Sequence, residues 1–134
     1  DCLHLADRYR KKFKPSVFSK VPKVSVGIFA ICAESNEEAI SLSASASAWR
    51  KRVQQGKSSS FPLVKEARKE FKETRSNPLG EGPKRPFVGS KNTIYERLQP
   101  LIKTADPEEL KIITICEPFE AKTNSYKLIK QLFD

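Results

Sequence analysis

The chain has few of the residues on which most catalytic and metal-binding sites are built. Its 134 residues include one histidine, His4, three cysteines and no methionine. Cys2, Cys32 and Cys116 are odd in number and show no C-x-x-C spacing, which argues against a disulfide framework or a zinc site. We expect Cys32 and Cys116, which each end an apolar run, to be buried small hydrophobic residues in a reducing, cytoplasmic protein. No metal site is predicted.

Long apolar runs and secretion signals are also missing. No stretch approaches the roughly 20 apolar residues that cross a bilayer, and no signal peptide opens the chain, so we expect no membrane partner. The glycines form no phosphate loop of the P-loop or dinucleotide type. Without an initiating methionine, the start is expected to be processed, truncated or partly disordered.

Positive charge is what the sequence has in excess. Lysine and arginine number 25 against 16 acidic residues, a formal net charge of +9. This balance permits a nucleic-acid or acidic-protein partner. The basic residues are dispersed, however, and between residues 65 and 73 glutamates interleave with them at helical spacing, which is typical of a solvated helix face. Nucleic-acid binding is therefore not favoured, and a small basic interaction module is kept as the alternative function.

Two short apolar runs predict buried strands. Val24–Cys32 and Leu110–Cys116 are nearly continuous in hydrophobicity, as strands are when helices cover both faces of a parallel sheet. Each is followed by an acid and a helix-like segment, and Ser35 with Glu38 predicts a capping box. Because two parallel strands cannot close a sheet, the chain is interpreted as the end piece of a larger α/β domain.

The other segments are predicted to be helices and loops within a single partial domain, 1–134. A variable helical excursion is placed at about 56–86, its Pro/Gly-rich part Ser76–Pro86 is predicted to be a mobile loop, and Phe87-Val88 is expected to reenter the core. The predicted helices are Cys2–Phe13, one from Ser35 to near Gly56, Pro62–Arg75, one opened by Gly89-Ser90 that Pro100 kinks or shortens, and Phe119–Phe133.

Four collinear segments carry a family resemblance. Their matching residues are Tyr9, Arg10, Phe13, Pro15 and Ser16; Ala33, Glu34, Ser35, Glu37, Glu38 and Ala39; Val88, Gly89, Ser90 and Thr93; and Glu109, Leu110, Thr114, Ser125, Tyr126 and Leu128. Together they resemble the C-terminal part of the bacterial-luciferase-like flavin-dependent monooxygenases, a family of oxidoreductases.

The resemblance implies a fold and an activity. The fold would be α/β, the C-terminal portion of a (β/α)8 TIM-type barrel with its last two parallel strands and flanking helices. The complete enzyme would use reduced flavin mononucleotide (FMN), or a deazaflavin in some branches, with O2 on a small organic substrate. This segment alone is expected to be inactive. Its partners would be the remainder of the barrel or a second copy in a homo-oligomer, and a flavin reductase.

In such a barrel the chemistry lies in the loops after the strands. Gly89 and Ser90, at a helix N-terminus, are the predicted cofactor-binding residues, since free amides and a hydroxyl suit a phosphate. The alternative is an ordinary serine N-cap after a glycine turn. Glu34 and Glu117 are candidate lip residues of a pocket, or ordinary acids placed before helices.

No catalytic residue is predicted. His4 lacks a credible nucleophile or fellow ligands and is interpreted as a surface residue. Trp49 and Tyr126 are interpreted as helix-packing anchors rather than flavin-stacking rings.

Overall fold

A computed structural model describes residues 2–57, 60–74 and 86–134. Most of the predicted loop Ser76–Pro86 lies outside these residues. Among the described residues no helix is both long and apolar enough to cross a membrane. In chain order the elements are α1 (Cys2–Lys12), β1 (Ser25–Cys32), α2 (Asn36–Gln54), α3 (Val64–Thr74), β2 (Phe87–Gly89), α4 (Lys91–Ala105), β3 (Glu109–Ile113) and α5 (Phe119–Lys130).

The strands form one three-stranded sheet in the order β2-β1-β3. β1 is central and pairs in parallel with both neighbours, with Ala30 opposite Phe87 and Ser25 opposite Glu109. In the described residues the outer edges of β2 and β3 pair with no further strand, so the sheet is open.

This sheet corrects the predicted fold class. The parallel arrangement was predicted, but the described residues form an open three-stranded sheet with five helices instead of the last two strands of a (β/α)8 barrel. β2 is three residues long. A run that short carries no periodicity by which a sequence pattern separates a strand from a loop.

One face of the sheet is covered by α4 and α5. Alternate residues of β1, namely Ile28, Ala30 and Cys32, point to that face because side chains alternate along a strand. They pack against buried residues of the two helices, which are Ile94, Leu98, Leu128 and Ile129. Ile94 and Leu98 are 0% and 1% exposed, and this side holds the largest buried apolar cluster among the described residues.

The opposite face is covered only in part. At the carboxyl end of the sheet, Ile31 and Val88 pack against Ala39 of α2. Further down, Phe29 and Ile113 are 46% and 44% exposed. α3 packs on the outer side of α2 through a separate cluster of small side chains and one ring, made of Ala44, Ala48, Ala67 and Phe71.

Helix α1 is fastened to the end of α4 by one arginine. The Arg10 guanidinium donates to the carbonyl oxygen of Ala105 at 2.7 Å and also to that of Asp106. Its second nitrogen lies 3.9 Å from the Glu108 carboxylate. α4 continues through Pro100 to Ala105, so the proline does not shorten it there. The exposed position of Pro100 lets water satisfy the carbonyl that its missing N–H leaves unbonded.

Helix α2 begins at the predicted cap. The Ser35 hydroxyl accepts a hydrogen bond from the Glu38 amide at 3.1 Å, which confirms the cap. The Glu38 carboxylate accepts from the Glu34 amide at 3.3 Å, one residue earlier than in a capping box. The helix ends at Gln54, and Gly56 follows with a φ of +71°, a conformation that favours glycine.

Candidate functional site

The carboxyl ends of the three parallel strands lie at one edge of the sheet. β1 ends at Cys32, β2 at Gly89 and β3 at Ile113, and each strand leads through a short loop into a helix. Ligands of open α/β sheets bind outside the carboxyl ends of the strands, because loops and helix N-termini converge there. This edge is therefore the candidate site.

The loop after β2 approaches the start of α2 closely. The Ser90 amide donates to Asn36 Oδ1 at 2.8 Å, and the Ala33 amide donates to the Gly89 carbonyl oxygen at 3.3 Å. A Cβ on Gly89 would lie 2.7 Å from Thr93 Cγ2 and 2.8 Å from Asn36 Oδ1. Only glycine fits there without displacing the neighbours. The close approach and the two hydrogen bonds join the start of α4 to the start of α2.

Ser90 is the N-cap of α4, which agrees with the alternative of an ordinary serine cap after a glycine turn. Its hydroxyl accepts from the Thr93 amide at 3.5 Å and lies 3.3 Å from Thr93 Oγ1. Within the described residues the amides of Lys91 and Asn92 donate no hydrogen bond, as is usual in the first turn of a helix. They add positive potential at this end of α4.

A lysine adds charge to the same turn. Lys91 Nζ donates to Gln131 Oε1 at 2.9 Å, which links the start of α4 to the end of α5. Because an amide oxygen does not neutralise an ammonium group, the first turn of α4 keeps a net positive charge. The Ser90 hydroxyl, the two amides and the ammonium group form a donor set suited to a phosphate monoester.

Hydroxyl groups form hydrogen bonds with the backbone at the carboxyl ends of β1 and β3. The Cys32 amide donates to Ser125 Oγ at 2.9 Å, and Ser125 is 0% exposed. Thr114 Oγ1 donates to the Ala30 carbonyl oxygen at 2.8 Å, while the Thr114 amide donates to the Tyr126 hydroxyl at 3.1 Å. Side chains thus replace the sheet ladder where β3 leaves β1, which is why β3 ends before the predicted Cys116.

The two thiols that the structure describes have the character of core residues. Cys32 is buried at 1% exposure, and burial raises the pKa of its thiol to about 11. Burial also raises the pKa of the Cys116 thiol, although that residue is only half-buried. Neither thiol is poised as a thiolate nucleophile at neutral pH.

The two predicted lip acids take structural roles. Glu34 is exposed, and its amide is bound by Glu38. Glu117 Oε2 accepts from the Val64 amide at 2.8 Å, so it caps the start of α3 from a different part of the chain. Glu117 therefore helps to hold α3, and it also lines a cavity between α2 and α3.

The remaining candidates lie away from the strand ends or support them. His4 is exposed on α1, and the described residues contain no group of acids, histidines and cysteines that could hold a metal ion. Trp49 lies with its ring centroid 6.3 Å from that of Phe61. Tyr126 reaches the strand end through its hydroxyl, a contact that a packing role alone does not predict.

Asn36 and Lys91 were missed by sequence reasoning. Asn36 follows the Ser35 cap directly, and nothing in the sequence shows that its amide reaches a turn 54 positions away. Lys91 directly follows the predicted cap Ser90 and was not considered as a ligand. The only available signal was that both residues begin helices at the end of a strand.

Comparison with known proteins finds relatives without a stated activity. The chain is 32% identical over 126 residues to the uncharacterized protein YceB and 30% identical over 128 residues to the uncharacterized protein YwcH, both of Bacillus subtilis (strain 168). The alignments cover 93% and 94% of this chain and 38% of each relative. The chain thus spans less than two fifths of the length of these relatives.

One solved structure shows the same fold. The crystal structure of apo-MsnO8 matches with a TM-score of 0.88 and 25% sequence identity, over 98% of this chain and 41% of that one. No family model matches the chain.

These findings overturn the family predicted from the sequence. The fold agrees with that of apo-MsnO8 along nearly the whole chain, its sheet is open in the described residues, and no family model supports a luciferase-like flavin monooxygenase. The prediction of a luciferase-like TIM-barrel segment is therefore wrong.

Proposed function

We propose that this chain binds the phosphate end of flavin mononucleotide at the first turn of α4. The observation that carries the proposal is the donor set of that turn: the Ser90 hydroxyl, the amides of Lys91 and Asn92 and the Lys91 ammonium group. Reduced FMN with O2 would then serve an oxidoreductase that acts on a small organic substrate. That activity belongs to the whole protein, of which this chain supplies one part.

The residues present fit the phosphate group. At Gly89 the absence of a Cβ lets the backbone lie close to Asn36 and Thr93, which a side chain there would displace. The donors come from a helix start whose dipole favours a dianion. Ring stacking is not supplied at this turn, so other residues of the complete protein would have to hold the isoalloxazine. When bound, the flavin supplies the electron-transfer chemistry.

The test compares FMN with riboflavin, which has the same ring and no phosphate. Because only the phosphate end is contacted, we expect FMN to bind weakly, with a Kd on the order of 1 mM, and riboflavin about tenfold more weakly still. Flavin fluorescence titration measures both. Equal affinity for the two flavins would contradict the proposal.

A matched pair of variants separates phosphate binding from helix capping. Ser90→Ala and Ser35→Ala each remove the N-cap hydroxyl of one helix, at a cost of about 1 kcal/mol in stability. We expect only Ser90→Ala to weaken FMN binding. An equal loss in Ser35→Ala would show that the effect comes from loosening the helix starts.

The alternative function is a basic module that binds nucleic acid or an acidic protein. A shallow depression on α1 favours it, because Arg8, Lys12 and Lys14 surround the rings of Tyr9 and Phe13 there. The Tyr9 side chain is 42% exposed. Basic side chains beside an exposed ring suit single-stranded nucleic acid.

Salt dependence tests this alternative. Fluorescence anisotropy with single- and double-stranded oligonucleotides would show binding at low salt and a steep decline on adding salt. Arg8→Gln should reduce that slope by about one unit. Indifference to nucleic acid would exclude this alternative.

We also propose that two copies of the chain associate. In the described residues the edges of β2 and β3 are unpaired, and such edges are templates for association. Light scattering that shows a monomer at high concentration would contradict this. If reduced flavin is the cofactor, a reductase must supply it. The free thiols of Cys32 and Cys116 support the cytoplasm as the compartment.

A further inference from the structure

A cavity lies between α2, α3 and the loop after β3, away from the first turn of α4. Its volume is about 700 Å³, within the range of sites that hold small organic ligands. Ile40, Ala44 and Phe71 give it an apolar floor. Glu117 and Pro118, from the loop after β3, also line it.

The floor is built by how the two helices meet. Ala44, Ala48 and Ala67 bring α2 and α3 close together, and the Phe71 ring is buried at 9% exposure beside them. The Arg52 guanidinium donates to Glu70 Oε2 at 2.9 Å, and Lys51 Nζ lies 4.0 Å from Glu70 Oε1. These contacts fix α3 on α2, so the cavity is part of the fold.

The rim of the cavity is basic. α3 contributes the exposed side chains of Lys65, Arg68, Lys69 and Lys72. The acids that line it are Glu37 and Glu117, and Glu117 is bound by the Val64 amide at the start of α3. The cations of this lining outnumber its acids even without Lys69, which leaves a positive field over an apolar floor.

We infer that this groove binds a small organic anion, a carboxylate or sulfonate with an apolar ring body. The body would lie on Ile40, Ala44 and Phe71, and the acid group would face Arg68 and Lys72. Inorganic phosphate lacks the body, and a neutral molecule lacks the charge, so both should bind poorly. This site is independent of the flavin phosphate proposed at α4.

The test uses naphthoate, naphthyl methanol and inorganic phosphate, each titrated calorimetrically into the full chain. We expect naphthoate to bind at least about tenfold more tightly than the alcohol of the same shape, and we expect phosphate, even where it binds at α4, not to displace naphthoate. Absence of naphthoate binding, or equal affinity for the alcohol, would overturn the inference. FMN should not displace naphthoate, and displacement would overturn the claim of a separate site.

Variants locate the binding. The double variant Arg68→Gln/Lys72→Gln should weaken naphthoate binding about tenfold. The control Lys103→Gln/Lys127→Gln removes the same charge from exposed positions on α4 and α5 and should leave the affinity unchanged. Equal losses would show a general charge effect and would overturn the inference.

A groove-filling variant provides an independent check. Ser41 lines the cavity and is only half-buried, so Ser41→Phe can fill the groove without entering the core. We expect it to melt like the parent chain by circular dichroism and to lose naphthoate binding. Retained binding in a folded Ser41→Phe would overturn the assignment to this groove.

Discussion

On one side of the sheet α4 and α5 pack branched aliphatic side chains against β1, whereas α2 and α3 meet each other through alanines and one ring. Leucine and isoleucine remove far more apolar surface from water per residue than alanine does. The first side therefore carries most of the hydrophobic stabilisation. The second side relies on close backbone approach and on the Arg52–Glu70 pair, and it leaves a groove open.

The largest loss of stability is expected from a substitution in the aliphatic cluster between β1, α4 and α5. Ile94→Ala removes a fully buried side chain from the cluster on β1 and should lower the free energy of unfolding by about 3 kcal/mol. Val53→Ala, at a position 52% exposed on α2, should change it by less than about 0.5 kcal/mol. Urea denaturation measures both. Similar values would show that the buried aliphatic cluster contributes little to stability.

Two buried serines sharpen the comparison. Ser125, on the aliphatic side, accepts the Cys32 amide, so Ser125→Ala leaves a buried donor unpaired and should destabilise the fold by about 1–3 kcal/mol. Ser45, on α2, is 0% exposed, and its hydroxyl has no partner among the described residues. Ser45→Ala should be neutral or stabilising by about 1 kcal/mol. Thermal melts would contradict this if both variants lost stability equally.

A smaller effect is expected at the ion pair between α2 and α3. Arg52→Gln removes a partly exposed pair and should cost about 0.5 kcal/mol at low salt and less at high salt. Lys103→Gln, at an exposed position of α4, serves as the control with no expected cost. A loss for Arg52→Gln that does not diminish with salt would point to packing of the side chain instead of charge.

The Cys32 thiol gives an effect that is absent at neutral pH. Its pKa is raised to about 11 from 9.0 by burial, so the folded state holds the proton more tightly than the unfolded state. Stability from this group is fully present below pH 9.0 and is lost as the pH rises toward about 11. Denaturation at about pH 8 and about pH 10 should show a decline that is smaller in Cys32→Ala. An identical decline in both proteins would refute it.

The central strand and the helix caps could be predicted from the sequence because they depend on neighbours in the chain. The apolar run Val24–Cys32 became β1 from Ser25, and Ser35 and Ser90 became N-caps. β2 was missed since three residues carry no pattern. β3 was predicted to extend too far. The Thr114 amide donates to the Tyr126 hydroxyl instead of to β1, so the strand pairing ends there.

Part of the candidate site could be predicted from the sequence, and part could not. Gly89 and Ser90 lie at the carboxyl edge, where the pattern of strand, glycine and serine put them. Asn36 and the groove depend on contacts between distant segments, which no local spacing encodes. Residues 65 to 73 of α3 were interpreted as a solvated helix face, yet Ala67 and Phe71 of this helix pack against α2. Its cations thereby come to surround a cavity.

The register of the central strand has a consequence for how the protein emerges from the ribosome. β1 meets β3 only across a separation of 84 positions, and Arg10 reaches its carbonyl partners across 95 and 96. During synthesis β1 and α1 must therefore wait, with apolar surface uncovered, until the distant residues have been translated. Contacts so remote along the chain slow folding. β1 therefore completes its pairing only after β3 has been translated.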